Sequence, residues 1–258
     1  MSEKETDDLD ELAEACCRIM NTEYSDKIDE LYGLGGIIGG ARPKIMTRID
    51  GEDWIIKFPA HADRADIGQM EYDYSVCAKK CGIVMSETRL FPSQRHAGYF
   101  GTRRFDRKMD GSKVHMATAA ALLELDFNQP CLDYHDLMKL TRIMTRDNKM
   151  DVENMFRRMC FNVFAHNRDD HSKNFSFVYD IESATWRLSP AYDLTYSTTY
   201  YGEHTTSVDG NGQDPGETEL VTVGVQAGMK KNQCQGIINE IQQWVAEDLK
   251  AYTTFQTT

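Results

Sequence analysis

At 258 residues and 29.5 kDa the chain is long enough to bury a real core, as one large domain or as two lobes sharing an interface. A net charge of −12 and a pI near 5.0 argue against a nucleic-acid backbone as direct ligand, because that binding is driven by Lys and Arg neutralising phosphates. Seven cysteines without C-x-x-C spacing, no apolar run of about 18 residues and an acidic start from Ser2 to Asp8 predict a reduced cytoplasmic protein with neither membrane span nor signal peptide.

In chain order, Leu9, Leu12, Ala13, Cys16, Ile19 and Met20 recur at helical spacing and predict an amphipathic helix from about Leu9 to Leu31 with an acidic outer face. That face is read as solvated, with partner docking as the alternative. Five glycines between positions 33 and 40 then make a backbone that turns freely or lets a ligand approach it closely. Lys44–Ile49 and Trp54–Phe58 read as two strands joined by a turn at Asp50–Asp53, and Ile67–Lys80 as a helix carrying Glu71. Strand-like pieces follow around Ile83–Phe91 and Gly98–Phe105.

Past Arg107 the pattern turns helical, with Asp133 as expected N-cap of Tyr134–Met144 and Asp151 of Val152–Ala165. A polar loop, His166–Asn174, leads into strands at Phe175–Tyr179 and Thr185–Leu188, which deliver the chain to Asp193. A polar, glycine-rich loop from Tyr201 to Glu219 and a helix from about Lys231 to Tyr252 complete the expectation. It is an α+β, protein-kinase-like fold of two lobes: a β-rich lobe at 1–107 and a helical lobe at 108–258.

The loop carries the chemistry. Phosphoryl transfer needs a carboxylate to hold or deprotonate the attacking hydroxyl, and an Asn and a second Asp to hold the metal ions that neutralise the phosphates of ATP. Asp169 and Asn174 stand five apart, as do the Asp and Asn of the protein-kinase loop H-R-D-x-x-x-x-N. Upstream, the glycine-rich backbone can lie against phosphates, Lys57 can pair with their oxygens, and Glu71 can hold that lysine by an ion pair, with ATP expected in a cleft between the lobes.

The blocks Gly39-Gly40-Ala41-Arg42-Pro43-Lys44, Ile56-Lys57-Phe58-Pro59, Arg104-Phe105-Asp106-Arg107, Asp169-Asp170-His171-Ser172-Lys173-Asn174-Phe175-Ser176 and Pro190-Ala191-Tyr192-Asp193 resemble the HipA-type toxin kinases, bacterial serine/threonine kinases of toxin–antitoxin systems. The resemblance implies Asp169 as catalytic base with His171 and Lys173 in support, and Asn174 and Asp193 as magnesium ligands. It also implies Lys57 as the phosphate-binding lysine, Gly39, Gly40, Ala41 and Lys44 around the nucleotide, and the backbone from Arg103 to Phe105 as the adenine hinge. It further implies ATP and Mg2+ as cofactors, a protein substrate with aminoacyl-tRNA synthetases as the target type, and an antitoxin partner that binds DNA. Two departures stand out. The extra N-terminal subdomain of longer members has no counterpart here. Ile37 occupies the position, two before the glycine pair, where members often carry a regulatory serine, and no Ser or Thr lies between Leu31 and Lys44.

Blander readings accompany each residue. Asp169 and Asn174 could simply cap a helix end, Lys57 could be a strand-edge lysine in solvent, and Glu71 a surface glutamate. His171 is read as a hydrogen-bonded loop histidine, Lys173 as either a phosphate contact or solvated, and Cys77 with Cys81 as buried apolar residues rather than metal ligands. The functional alternatives are a nucleotide-binding subunit of a toxin–antitoxin complex with restrained catalysis, and a small-molecule kinase on the same fold.

Overall fold

Large apolar side chains alternate along Trp54–Phe58, the period of a half-buried strand. In the computed structural model, which describes residues 3–21, 26–33, 42–61, 63–125, 132–199 and 202–254, Trp54, Ile56 and Phe58 are all buried while Ile55 and Lys57 are partly exposed. The described elements in chain order are α1 (Glu3–Met20), α2 (Ile28–Gly33), β1 (Lys44–Ile49), β2 (Glu52–Lys57), α3 (Ile67–Lys80), β3 (Thr88–Phe91), β4 (Tyr99–Arg103), β5 (Met116–Thr118) and α4 (Ala119–Leu122). They continue with β6 (Leu132–Asp133), α5 (Tyr134–Met144), α6 (Lys149–Phe164), a 3-10 turn (Ser172–Asn174), β7 (Ser176–Asp180), β8 (Thr185–Leu188), β9 (Thr206–Ser207), α7 (Glu217–Gln226), α8 (Lys231–Asp248) and α9 (Lys250–Thr253). The chain divides into two compact units, residues 1–73 with 86–113 and residues 74–85 with 114–258, so the boundary falls inside α3. No helix among the described residues is long and apolar enough to cross a membrane.

The first unit is built on an antiparallel sheet in the order β1-β2-β4-β3. One core joins that sheet to the leading helix: Leu9, Leu12, Ala13 and Cys16 of α1 cluster with Ile45, Trp54, Ile56, Phe91 and Tyr99. Trp54 meets Phe91 edge-on at 5.8 Å, and Phe58 meets Tyr99 at 4.9 Å. The expected single helix to Leu31 is instead two, because Asn21 turns the chain after Met20. The helix α1 is also clamped by a polar contact. Buried Asp10 accepts hydrogen bonds from Ser93 Oγ (2.6 Å), Tyr99 OH (2.6 Å) and Gln94 N (2.9 Å). At the start of α3, Gly68 lies so close to Gly98 that a Cβ would sit 2.1 Å from the Gly98 carbonyl oxygen. That approach sets the height at which Glu71, one turn later, meets the sheet.

The second unit holds the helices. Asp133 caps α5 as expected, accepting from His135 N at 2.8 Å. The cap of α6 is Asn148, not Asp151: its side chain accepts from Met150 N and Asp151 N, and Asp151 is taken by Arg187 at 2.7 Å. The strands expected at Phe175–Tyr179 and Thr185–Leu188 pair antiparallel as β7 and β8, with β5 on the outer edge of β7. Met85, expected inside a strand, makes only an isolated bridge to Ala191. The stretch expected as loop up to Glu219 contains β9, which pairs parallel with β6, and it runs into a helix, α7, that the sequence pattern does not announce.

Burial pushes the Asp10 carboxyl up, but the hydrogen bonds from Ser93, Tyr99 and Gln94, with the charge of Arg95, outweigh it and hold the group below its ordinary value. A lowered folded-state value means that the ionised carboxylate stabilises the fold above the ordinary carboxylate range near ~4, and that this contribution is lost as pH falls through the lowered value. Asp10→Ala is predicted to cost about 1–3 kcal/mol in urea unfolding at neutral pH, because it leaves the buried Tyr99 hydroxyl without its acceptor. Asp10→Asn is predicted to flatten the acid limb of the stability–pH curve. A neutral-pH stability equal to that of the unsubstituted chain would show that the clamp contributes nothing.

Candidate active site

Two groups of polar residues stand out, one in each unit. In the first unit Lys57, at the end of β2, reaches Glu71 of α3, with Nζ 3.0 Å from Oε2, and its ammonium also lies 5.6 Å from the centre of the Phe100 ring. Glu71 is 4% exposed and has a second cation: Arg42 Nη1 sits 2.7 Å from Oε1. Arg42 Nε is in turn 2.9 Å from Asp63 Oδ2, which also accepts from Ala60 N at 2.8 Å. A buried carboxylate shared by two cations meets the rule that buried charge must be paired. Burial lowers the pKa of Arg42, but Glu71 and Asp63 outweigh this and raise it, so the guanidinium stays charged.

Arg42 is the first described residue after the glycine-rich segment; Gly39, Gly40, Ala41 and Ile37 lie outside the described residues. Lys44 opens β1 directly opposite Lys57 in the register. Arg103 pairs its guanidinium with Glu52, and the backbone N–H groups of Arg103 and Arg104 are used within the unit, donating to Glu87 O (2.9 Å) and Asp53 O (2.8 Å). Phe105 follows in a turn.

In the second unit the polar loop leaves α6 through His166, whose φ of +52° is in the left-handed region. Asp169 is exposed, with Oδ1 3.8 Å from His171 Nε2. Its carbonyl accepts from Asn174 Nδ2 at 2.9 Å, which fixes the amide of Asn174 with Oδ1 turned away from that carbonyl. Lys173 is exposed, and its carbonyl accepts from Tyr192 OH at 2.7 Å, so the loop is tied to the residue before Asp193. Tyr192 is also bonded to Ser176 Oγ; burial pushes its hydroxyl up to about 12, so it remains a donor. Asp193 is exposed and itself left-handed, with φ +53°. For a non-glycine residue such a conformation costs energy and persists where neighbours impose it.

The loop is braced by buried residues to which the sequence reading gave no role. Asp170, fully buried, accepts from Tyr134 OH (2.9 Å) and Thr206 N (3.0 Å) and is 3.1 Å from His204 Nδ1, while its own carbonyl accepts from Thr206 Oγ1. From Tyr134 the chain of bonds continues through Asn162 (2.9 Å) to Asn167 (2.9 Å), whose Nδ2 also lies 3.5 Å from the Asp193 carbonyl. Burial above all, and the adjacent Asp170 carboxylate, keep Tyr134 protonated far above its usual range. The loop and the Asp193 segment are further joined by an Asn167–Ser197 bridge, with Ser197 N donating to His166 O at 3.0 Å. One signal in the sequence pointed here. Asn154, Arg158 and Asn162 recur every fourth residue inside an otherwise apolar helix face, and all three are buried.

The donors suit a hard cation. The Asn174 amide oxygen and the Asp193 carboxylate are oxygen ligands of the kind Mg2+ takes, one or two carboxylates completed by phosphate and water oxygens. Among the described residues no three His, Cys, Asp or Glu side chains converge on one point.

A profile of the HipA-like C-terminal domain family matches residues 36–249. Among curated proteins, the chain is 27% identical over 172 residues to one named "Putative kinase Y4dM" from Sinorhizobium fredii, an alignment spanning 62% of this chain and 41% of the relative. It is 24% identical over 187 residues to a "Putative kinase" from Haemophilus influenzae, spanning 64% and 54%. The chain thus spans about half the length of the curated relatives it matches. Among solved structures, the HipA of Shewanella oneidensis, determined with HipB and operator DNA, superposes with a TM-score of 0.66 at 17% identity, over 83% of this chain and 58% of that one. The Helicobacter pylori proinflammatory kinase CtkA does so with a TM-score of 0.52 at 13% identity, over 83% and 88%. These likenesses establish a kinase-like fold.

Asp170→Asn is predicted to destabilise the chain by about 2–3 kcal/mol, since it puts an amide donor against Thr206 N and weakens charge-assisted bonds in a buried site. Hydrogen exchange should quicken at residues 166–174 and 204–206 before it does in α6. Uniform protection, unchanged by the substitution, would rule out Asp170 as the organiser of the loop.

Proposed function

Because the chain belongs to the HipA-like C-terminal domain family, we propose that it is an ATP- and magnesium-dependent serine/threonine protein kinase, the toxin component of a toxin–antitoxin pair. The observation that carries the reading is the loop itself: Asp169, with its backbone carbonyl bonded to Asn174, is tied to the Asp193 segment through Tyr192 and Asn167. Lys57, held by Glu71, supports the reading independently from the other unit.

In this mechanism Lys57 pairs with phosphate oxygens of ATP, Lys44 and the glycine-rich segment with Gly39, Gly40 and Ala41 lie along the nucleotide, and Arg103–Phe105 receive the adenine. Asp169 accepts the proton of the attacking hydroxyl, with His171 Nε2 3.8 Å from its carboxylate in support. Lys173 faces the transferred phosphoryl group. Asn174 and Asp193 would hold magnesium, which when bound neutralises the charge on the phosphates. Most of the rate comes from positioning and charge neutralisation, which suits a rigid loop on a buried network.

The acceptor is a protein serine or threonine, with a translation protein such as an aminoacyl-tRNA synthetase as the proposed target. Restraint falls to an antitoxin partner; the solved Shewanella relative was determined together with HipB. Ile37 offers no hydroxyl for phosphorylation in the glycine-rich segment, which leaves restraint to the partner or to another hydroxyl.

Incubation with labelled ATP and host lysate is expected to label a protein on serine or threonine; label on a small molecule instead would overturn the protein-kinase reading. Asp169→Asn is predicted to retain nucleotide binding while losing about 10²–10⁴-fold in turnover, and Asp193→Ala to weaken magnesium–ATP binding in calorimetry. Turnover of Asp169→Asn at the rate of the unsubstituted chain would remove Asp169 from the mechanism.

A further inference from the structure

The guanidinium of Arg158 is buried with an unused Nη1, and it borders a cavity. From this we infer that the second unit carries an anion site, none of whose residues has a role above, that binds a small phosphate-bearing molecule.

The cavity is about 320 Å3, within the range of small-ligand sites, and lies where the start of α6 meets the Gly82–Val84 turn and the end of β8. Its lining includes Val84, Asp151, Arg157, Arg158, Arg187 and Leu188. Two of the three arginines are paired. Arg187 Nε is 2.7 Å from Asp151 Oδ2, and Arg157 is 3.0 Å from Glu153 and 2.9 Å from Glu240. Asp151, Glu153 and Glu240 are thereby each bonded to an arginine, and only with Arg158 do the three arginines match these three carboxylates in charge.

Arg158 is different. Its side chain is 1% exposed, and its hydrogen bonds go to neutral oxygens, the Asn154 amide at 3.1 Å and the Ser189 carbonyl. Among the described residues it has no carboxylate partner, and its Nη1 has no hydrogen-bond partner at all. Burial pushes its pKa down to about 10, which still leaves the group charged at neutral pH. Buried cations in folded proteins are paired, because an isolated one loses its hydration with nothing in return. A phosphate entering the cavity supplies a directly bonded anion, which Asp151 does not, and accepts from the unused N–H groups of Nη1. Arg187, at the partly exposed wall, provides a second contact, and Val84 with Leu188 provide apolar surface for the carbon part of a phosphate ester. The same guanidinium holds the carbonyl of Ser189, four residues before Asp193, so an anion there touches the Asp193 segment through one side chain.

Calorimetric titration of the full chain with sodium phosphate, and separately with glucose 6-phosphate, tests this without nucleotide or magnesium and at ionic strength held constant with chloride. Saturable binding is expected. Val84→Glu, at an exposed position, and Arg187→Gln, both at the rim, are each expected to weaken it by at least about fivefold through repulsion or loss of a charged donor. Arg158→Met, where it folds, should abolish it. Glucose 6-phosphate binding more tightly than phosphate would identify a phosphate ester as the ligand class, and equal affinity would identify the inorganic ion. Absence of saturable heat with both ligands, or unchanged affinity in both rim variants, would overturn the site.

Discussion

The buried carboxylate of Asp170 is the constraint on which the rest of the second unit depends. A charge with no exposure is tolerable only if its oxygens are fully engaged, and its partners come from α5, from the β9 strand and from His204 just before it. Satisfying one charge therefore draws two separate parts of the chain, α5 and the 204–206 segment, against the loop that follows α6. Asp169, its neighbour, is left exposed by the same fold. Two adjacent acids of identical chemistry thus take opposite environments, one as anchor and one as the group turned outward.

Irregular backbone needs this kind of support. His166 and Asp193 both sit in left-handed conformations, and neither is glycine. The bonds from Asn162 through Asn167 to the Asp193 carbonyl, together with Tyr192 on the Lys173 carbonyl, hold these two strained points relative to each other. A loop fastened in this way can present Asp169 and Asn174 in one arrangement with little reorganisation, which is the property that positioning catalysis demands.

The first unit solves a related problem with Glu71. Its two oxygens are divided between Lys57 and Arg42, so the carboxylate that orients the lysine also anchors the residue that closes the glycine-rich segment. The placement of Glu71 rests on Gly68, since any side chain there would meet the Gly98 carbonyl and lift α3 from the sheet. The core beneath is completed by α1, whose acidic outer face had suggested mere solvation. Its inner face is part of the sheet's core, and its Asp10 is fastened to the loop before β4.

Local pattern was enough to recognise much of the molecule. The alternation through Trp54–Phe58, the cap at Asp133, the helix carrying Glu71 and the spacing of Asp169 and Asn174 are properties of neighbouring residues, so they could be read directly along the chain. Apart from the break at Asn21, which is local, the misreadings arose where the deciding contact lay far away in sequence. Asp151 has the chemistry of a cap but bonds Arg187, leaving the cap to Asn148. The helix α7 is rich in β-branched valine and interrupted by Gly224, a poor helix on propensity alone, yet a side chain at Gly224 would sit 2.5 Å from Cys234 Sγ and 2.6 Å from the Phe156 ring. Packing against α6 and α8 selects both the helix and its glycine. Which acids, amides and lysines the chain has, and how far apart they stand, is written along the chain; that Asp170 is buried and Asp169 exposed, and that Arg158 lies inside with its bonds to neutral oxygens, follows only from folding. Burial and hydrogen-bond partners are set by residues tens of positions apart, and they determine whether a charged side chain is an anchor, a reagent or a binding site.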